Sequence, residues 1–486
     1  MPRYFCTFAY FMPRYFYVFS IFKGRYFCKL NKNGYFCTCK SDYYNMENRY
    51  YTRSIEMELE KWKADDHHKS LLIRGARQVG KSSVIRHFGK TFEYFLEVNL
   101  ERDQNIKALF GPNIDVKKIC TALSAIYGVP IIPGKTLLFI DEIQESERAI
   151  SSLRFFYEDY PELHVVAAGS LLEFALRELP SFGVGRIRSL FMYPFSFDEF
   201  LDASGMQLLR EYKNQSADIH NPLPEAMHVQ LVEQLRNYFL VGGMPDAVRT
   251  WIEQHDYTKC TEVHRDVLQT YQDDFSKYKS RISPIVLSNT LKSIAQQAGS
   301  KFVYSRVEGD IATAQVKEAL SLLTLAGITI PVVHTSANGI PLGADVNPKF
   351  QKYLFLDVGL MQTMLGLKTE ELLLSSEVDF TNKGGLAEMF VGLELVKYAP
   401  STYRPECYYW QRNGNEGQAE VDYVIVRNGK IVPVEVKAGV RGSMQSMYYF
   451  MDKKKCEYGI RTCLENFGAL ENVQIIPLYA VRQIEK

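Results

Sequence analysis

The run GARQVGKSS, from Gly75 to Ser83, constrains this chain more than any other stretch of it. It meets every position of G-x-x-x-x-G-K-[ST], in which a loop between a strand and a helix turns its backbone N–H groups toward phosphate. Such a loop needs glycine where a side chain would obstruct the approach, and Gly75 and Gly80 stand there. Ala76, Arg77, Gln78, Val79 and Ser83 complete the expected cradle. Lys81 would carry positive charge to the β- and γ-phosphates and Ser82 a hydroxyl to Mg²⁺, with the helix dipole adding to both. The expected ligands are therefore ATP and Mg²⁺.

The flanking text has the order this loop requires. Ile55, Leu59 and Trp62 recur at helical spacing, Leu71–Ile73 reads as a short buried strand, and Lys81–Phe88 opens a helix. Further strands are expected at Tyr94–Asn99, Thr136–Ile140 and Leu163–Ala168, each separated by enough chain for a crossover helix. That alternation predicts an α/β fold with a parallel, helix-flanked sheet.

A magnesium-bound phosphate chain also needs a carboxylate, and the apolar strand TLLFI delivers Asp141 at its carboxyl end. Glu142 follows, placed to act as general base on an attacking water, with Asp141 in the metal shell. The strand LHVVAA ends in Gly169-Ser170, which makes Ser170 a candidate phosphate sensor or simply part of a tight turn. Gly185-Arg186 precedes the strand-like FMYPFSF, and Arg186 could stabilise transition-state charge, in cis or on a neighbour in a homo-oligomer.

Together RGARQVGKSS, Asp141-Glu142, the Gly-Ser turn, Gly185-Arg186, the PFSFDEF segment and the Gly242-Gly243-Met244-Pro245 breaker resemble a family of prokaryotic AAA+-type ATPases. The resemblance covers residues from about Arg53 to the C-terminus. It implies an AAA+-type ATPase sheet followed by a C-terminal domain of unknown function with a nuclease-like fold. The expected organisation is a core over residues 46–205, a helical lid over 206–285, a winged-helix-like segment over 286–375 and a nuclease-like α/β domain over 376–486.

Ala419 to Lys437 reads AEVDYVIVRNGKIVPVEVK, two apolar strands around Asn428-Gly429, the dipeptide favoured in two-residue hairpin turns. That turn would set Asp422 opposite Glu435 and Glu420 opposite Lys437, with all four side chains on one face. Facing carboxylates repel, so a cation is expected between them, and hard oxygen donors favour Mg²⁺ or Mn²⁺. Asp422, Glu435 and Lys437 match the D…(E)xK arrangement of PD-(D/E)xK nucleases, and Glu388 on the preceding helix resembles their additional acidic residue. Lys437 would then be catalytic, Glu388, Asp422 and Glu435 metal ligands, and DNA a candidate substrate. A salt bridge between Glu420 and Lys437 in an inactive scaffold explains the same residues.

The charge balance gives this DNA reading no general support. Lys plus Arg number 57 and Asp plus Glu 56, so nucleic-acid contact would need a local patch. In the expected winged helix, three helices and then strands at Thr329–His334 and Tyr353–Leu356, the candidate recognition helix Ala312–Leu325 has Lys317 as its one basic residue. A structural connector is favoured over a groove reader. No apolar run approaches the roughly 20 residues a membrane span needs, and scattered cysteines suit a reducing cytosol. In the first 45 residues MPRYF occurs at Met1 and Met12, followed by GRYFC and GYFC. They are expected either to precede a native start at Met46 or to form an aromatic-rich arm.

Overall fold

In the computed structural model, residues 50–179, 185–278, 282–366, 383–412, 419–439 and 442–484 are described. The aromatic repeats of residues 1–45 lie outside them. Five strands form the first sheet, the central ones buried and the edge strands β2 and β5 half-buried: β1 (Ser70–Arg74), β2 (Tyr94–Asn99), β3 (Thr136–Asp141), β4 (His164–Ala168) and β5 (Ile187–Phe191). Their order is β2-β3-β4-β1-β5, and every pairing is parallel. A parallel sheet is covered on both faces, so its strands lack polar alternation, and every residue of β3 and β4 is buried. Helices α1 (Glu56–Lys63), α2 (Lys81–Gly89), α3 (Val116–Tyr127), α4 (Glu147–Asp159) and α5 (Leu172–Glu178) supply the cover.

The expected strand through PFSF is not one. β5 stops at Phe191, and α6 (Phe197–Ala203) begins behind Ser196, whose side chain accepts the Glu199 N–H while Glu199 reaches back to the Ser196 N–H. That reciprocal capping box, after a proline that cannot donate to a ladder, starts a helix. Then follow α7 (Gln207–Gln215), α8 (Glu225–Val241), α9 (Pro245–Gln254) and α10 (Tyr257–Asp274). Helicity for residues 206–285 is thus as expected, with the Gly-Gly-Met-Pro breaker separating α8 from α9.

Beyond lie α11 (Pro284–Gln296), a single 3-10 turn at Tyr304–Arg306, α12 (Thr313–Leu325), β6 (Thr329–Thr335) and β7 (Val346–Phe355). One of the three expected helices is therefore only a turn. α13 (Val358–Met364) and α14 (Lys383–Tyr398) precede β8 (Cys407–Gln411), β9 (Glu420–Val421), β10 (Tyr423–Arg427) and β11 (Lys430–Val436). The chain closes with α15 (Gln445–Lys454), β12 (Gly459–Cys463), β13 (Gly468–Leu470) and β14 (Val473–Pro477). β6 and β7 do not stand alone: β6 pairs in parallel with β8, giving the order β7-β6-β8-β9. A second mixed sheet runs β10-β11-β12-β14-β13.

The hairpin turn falls at Asn428-Gly429, both residues at positive φ, and the register Tyr423↔Val434 to Arg427↔Lys430 is the expected one. It does not extend to Glu420. The chain bends at Asp422, and Glu420 pairs with Gln411 of β8 rather than with Lys437.

Candidate functional site: a phosphate loop facing an acidic pair

Gly75 leaves β1 at φ 143°, and a Cβ there would meet the Met192 carbonyl oxygen at 2.2 Å. Glycine is therefore fixed by conformation and by space. The loop is braced from outside by Arg53, a residue that no local motif singles out. Its guanidinium donates to Val79 O at 3.0 Å and Tyr193 O at 2.7 Å and forms a buried ion pair with Glu199 at 3.1 Å. The PFSFDEF segment thus acts on the loop through Glu199. Ala76 and Val79 are buried against this support, and Ser83 is exposed.

Lys81 donates to Gly75 O at 2.9 Å and Ala76 O at 2.7 Å, folding over its own loop. Burial pulls its pKa down to about 8 against the opposing charges of Glu142 and Asp141. Ser82 Oγ lies 3.2 Å from each oxygen of Asp141. Burial and then the neighbouring Glu142 raise the Asp141 pKa, which a divalent cation would relieve. A hydroxyl and a carboxylate this close are a hard-oxygen donor set that fits Mg²⁺.

Glu142 adopts φ 49°, an unusual conformation for a residue with a Cβ, and is fixed there by its carboxylate. Its Oε2 accepts from Gln144 Nε2 at 2.7 Å and Ser170 Oγ at 3.2 Å. Gln144, also missed in the sequence, needs the space Gly169 leaves: a Cβ at Gly169 would sit 1.9 Å from Gln144 Oε1. Arg77, Gln78, Gly80, Lys81, Ser82, Ser83, Asp141, Glu142 and Ser170 all face one cavity of about 230 Å³, which Pro245 and Asp246 close from the start of α9. The breaker before α9 is thus part of the cavity wall. Arg186 is not brought there. It pairs with Glu158 of α4 at 2.6 Å, about two-fifths exposed, and does not line the cavity.

The second group of expected residues does converge, around a residue the sequence did not reveal. Lys352 of β7 is buried and donates to Glu388 Oε1 at 2.7 Å and Glu420 Oε1 at 2.5 Å. Burial would lower its pKa, but Glu388, Glu420 and Asp422 outweigh this and raise it. Asp422 Oδ2 accepts the Val436 N–H at 2.8 Å, and Lys437 pairs with Glu435 at 2.6 Å. Among the described residues Glu435 Oε2 is buried without a partner, and burial followed by Asp422 pushes its pKa up to about 7. Burial likewise raises Glu388, against the pull of Lys352. The ammonium of Lys352 thus sits on Glu388 and Glu420, while Glu435, of the facing pair expected to share a cation, is paired with Lys437. Among the described residues, no group of three or more His, Cys, Asp or Glu is arranged to hold a metal ion.

A parallel sheet whose first strand feeds a glycine loop and helix, with a Ser–Asp pair beneath, defines a P-loop nucleotide-binding protein of α/β fold. More narrowly, residues 67–201 match the family described as AAA domain. Residues 232–371 and 383–481 match two domains of unknown function, DUF8612 and DUF4143. No curated protein matches the chain.

Among solved structures, the Walker-type ATPase PABY2304 of Pyrococcus abyssi is similar at 15% identity and TM-score 0.42, over 65% of this chain and 96% of that one. The Aeropyrum pernix Orc1 protein, solved in complex with DNA, is similar at 13% identity and TM-score 0.30, over 66% and 95%. A signal-transduction ATPase with a tetratricopeptide repeat sensor from Pyrococcus horikoshii gives 12% and 0.26, over 72% and 47%. No helix among the described residues is long and apolar enough to cross a membrane.

Proposed function

We propose that the protein hydrolyses ATP with Mg²⁺ and that its nucleotide state controls the C-terminal module. The carrying observation is that Ser82, Asp141 and a Glu142 aimed by Ser170 and Gln144 share one cavity with the phosphate loop. Gly75 to Ser83 bind the phosphates, and Lys81 leaves its loop carbonyls for them. Ser82 and Asp141 would hold Mg²⁺, which supplies charge neutralisation on the β- and γ-phosphates. Glu142 accepts the proton of the attacking water, and Ser170 reports on the γ-phosphate through the oxygen it shares with Glu142. Arg186, exposed at the edge of β5, could contribute charge from a neighbour in a homo-oligomer. The setting is cytoplasmic in this reading.

For the module, Glu388, Asp422, Glu435 and Lys437 support a nuclease-like activity on DNA. A second reading, an inactive module used for protein contacts, is favoured by Lys352, whose ammonium pairs with Glu388, one of the three expected metal ligands, and with Glu420. ATP turnover by wild type, Lys81→Ala and Glu142→Gln tests the first half. Lys81→Ala should lose binding, and Glu142→Gln should bind without turnover; normal hydrolysis by Glu142→Gln removes its role as base. DNA with Mn²⁺, with and without ATP, against Glu435→Ala tests the second. Absence of cleavage in every arm selects the contact module.

A further inference from the structure

The cavity holds an arginine of its own. Arg77, the third residue of the phosphate loop, lines it together with Lys81, Glu142 and Ser170. Its Nη1 is gripped by both oxygens of Asp274, at 2.9 and 2.8 Å, and its carbonyl accepts the Tyr271 hydroxyl at 2.9 Å. Both partners lie in the last turn of α10, and the Asp274 side chain is only 3% exposed, held in turn by Lys277 at 2.8 Å. The guanidinium is thus anchored at one corner. Its Nε and Nη2 make no hydrogen bond among the described residues, and the side chain is about one-third exposed. A planar guanidinium has five N–H donors, so three remain for a ligand. Arg77 and Glu142 line the same cavity, and Glu142 is near enough to act on the guanidinium electrostatically.

We propose that Arg77 acts in cis on the γ-phosphoryl group, neutralising the charge that develops on its oxygens during transfer, and that Asp274 positions it. The inference rests on the ATPase reading above and gives it the transition-state cation that Arg186, paired with Glu158 and off the cavity wall, does not provide from its own chain. In the step, the water oxygen forms its bond to the γ-phosphorus as the bond to the β–γ bridging oxygen breaks. The electron pair of that bond leaves on ADP, and the water proton passes to Glu142. Arg77 stays protonated and only donates hydrogen bonds, as guanidinium chemistry requires. Lys81 does not replace it, because an ammonium is a point charge without the planar fork of donors that a guanidinium presents.

Steady-state turnover with Mg-ATP, affinity for fluorescent ADP and trapping of ADP with aluminium fluoride test this in the full chain. Arg77→Ala should lower kcat by about 10²–10³-fold, the usual cost of one preorganised transition-state donor. ADP affinity should stay within about threefold, and the fluoroaluminate complex should no longer form, because the lost contact exists only in the transition state. Arg77→Lys should recover part of kcat, and Asp274→Asn should lower kcat by roughly tenfold with KM little changed. A purely structural clamp between loop and α10 would instead lower ADP affinity and the unfolding midpoint, equally in Arg77→Ala and Asp274→Asn. That result overturns the proposal, as does Arg77→Ala turnover within about threefold of wild type. Wild-type protein that binds ADP but never hydrolyses ATP is a distinct outcome, and sinks the ATPase reading itself.

Discussion

Lys352 and Asp357 stand at the end of β7 and just past it, and each is built into a different site. Lys352 holds Glu388 and Glu420 in the C-terminal cluster. Asp357 accepts the Gly243 N–H at 2.6 Å on one oxygen and the Gly359 and Leu360 N–H groups on the other. Gly243 leads into Pro245 and Asp246 of the nucleotide cavity, so this strand end is joined to the C-terminal cluster and to the turn that carries part of the cavity wall. Asp357→Ala would leave buried N–H donors unpaired, at about 1–3 kcal/mol each. It should lower the urea midpoint and weaken ATP binding together. A variant that loses stability with unchanged ATP affinity would separate the turn from the cavity.

Lys352→Met should be costly, because two carboxylates then lose the ammonium that offsets their burial. Removing one partner of a buried pair costs about 3–5 kcal/mol. Replacing Glu388 by Gln in the same protein should restore much of it, and chemical denaturation of the four-protein cycle measures the coupling. Additive losses would show that the two residues do not act as a pair.

Nucleotide binding should take up a proton at alkaline pH. In the free site burial holds Lys81 near 8, whereas a phosphate chain favours its charged form. Above that pH the free protein has lost the proton that the complex keeps, so affinity should fall by up to about tenfold per pH unit. Calorimetry at pH 8.5 in buffers of different ionisation enthalpy reads the uptake directly. Identical apparent enthalpies would contradict it.

Acid should weaken the fold through two stacked histidines. The rings of His68 and His164 lie 3.8 Å apart and nearly parallel, with His68 Nε2 and His164 Nδ1 buried and unpartnered among the described residues. Burial, then the charge of His68, pulls His164 down to about 4. The unfolded chain takes up a proton below about 6.5 while the folded one does not, so stability should drop as pH falls from there to about 4. Denaturation midpoints across that range should slope for wild type and flatten for His164→Phe.

Ser170→Ala and Gln144→Ala should each lower kcat with ADP affinity retained, since both side chains fix Glu142 and neither belongs to the phosphate loop. A loss of roughly tenfold is expected for a residue acting through the base. Raised KM at constant kcat would assign them to binding instead.

The sequence by itself determined what is local. The glycine spacing of the phosphate loop, the apolar strands around it, the acidic pair ending β3 and the Asn428-Gly429 turn each depend on residues a few positions apart. These took the expected form, except that the strand-like FMYPFSF ends as a strand at Phe191. Register from the turn held for as long as the ladder ran, and failed at Asp422 where the chain bends into another sheet. Only the tertiary structure decided which charges meet. Arg53 reaches Glu199, Arg77 reaches Asp274 and Lys352 reaches Glu388, across 146, 197 and 36 residues of chain. No spacing rule covers such pairs, because a buried cation selects its carboxylate by the packing of whole elements. The same packing left Arg186 on Glu158 and put the Lys352 ammonium on Glu388, a carboxylate that the sequence had suggested for a metal.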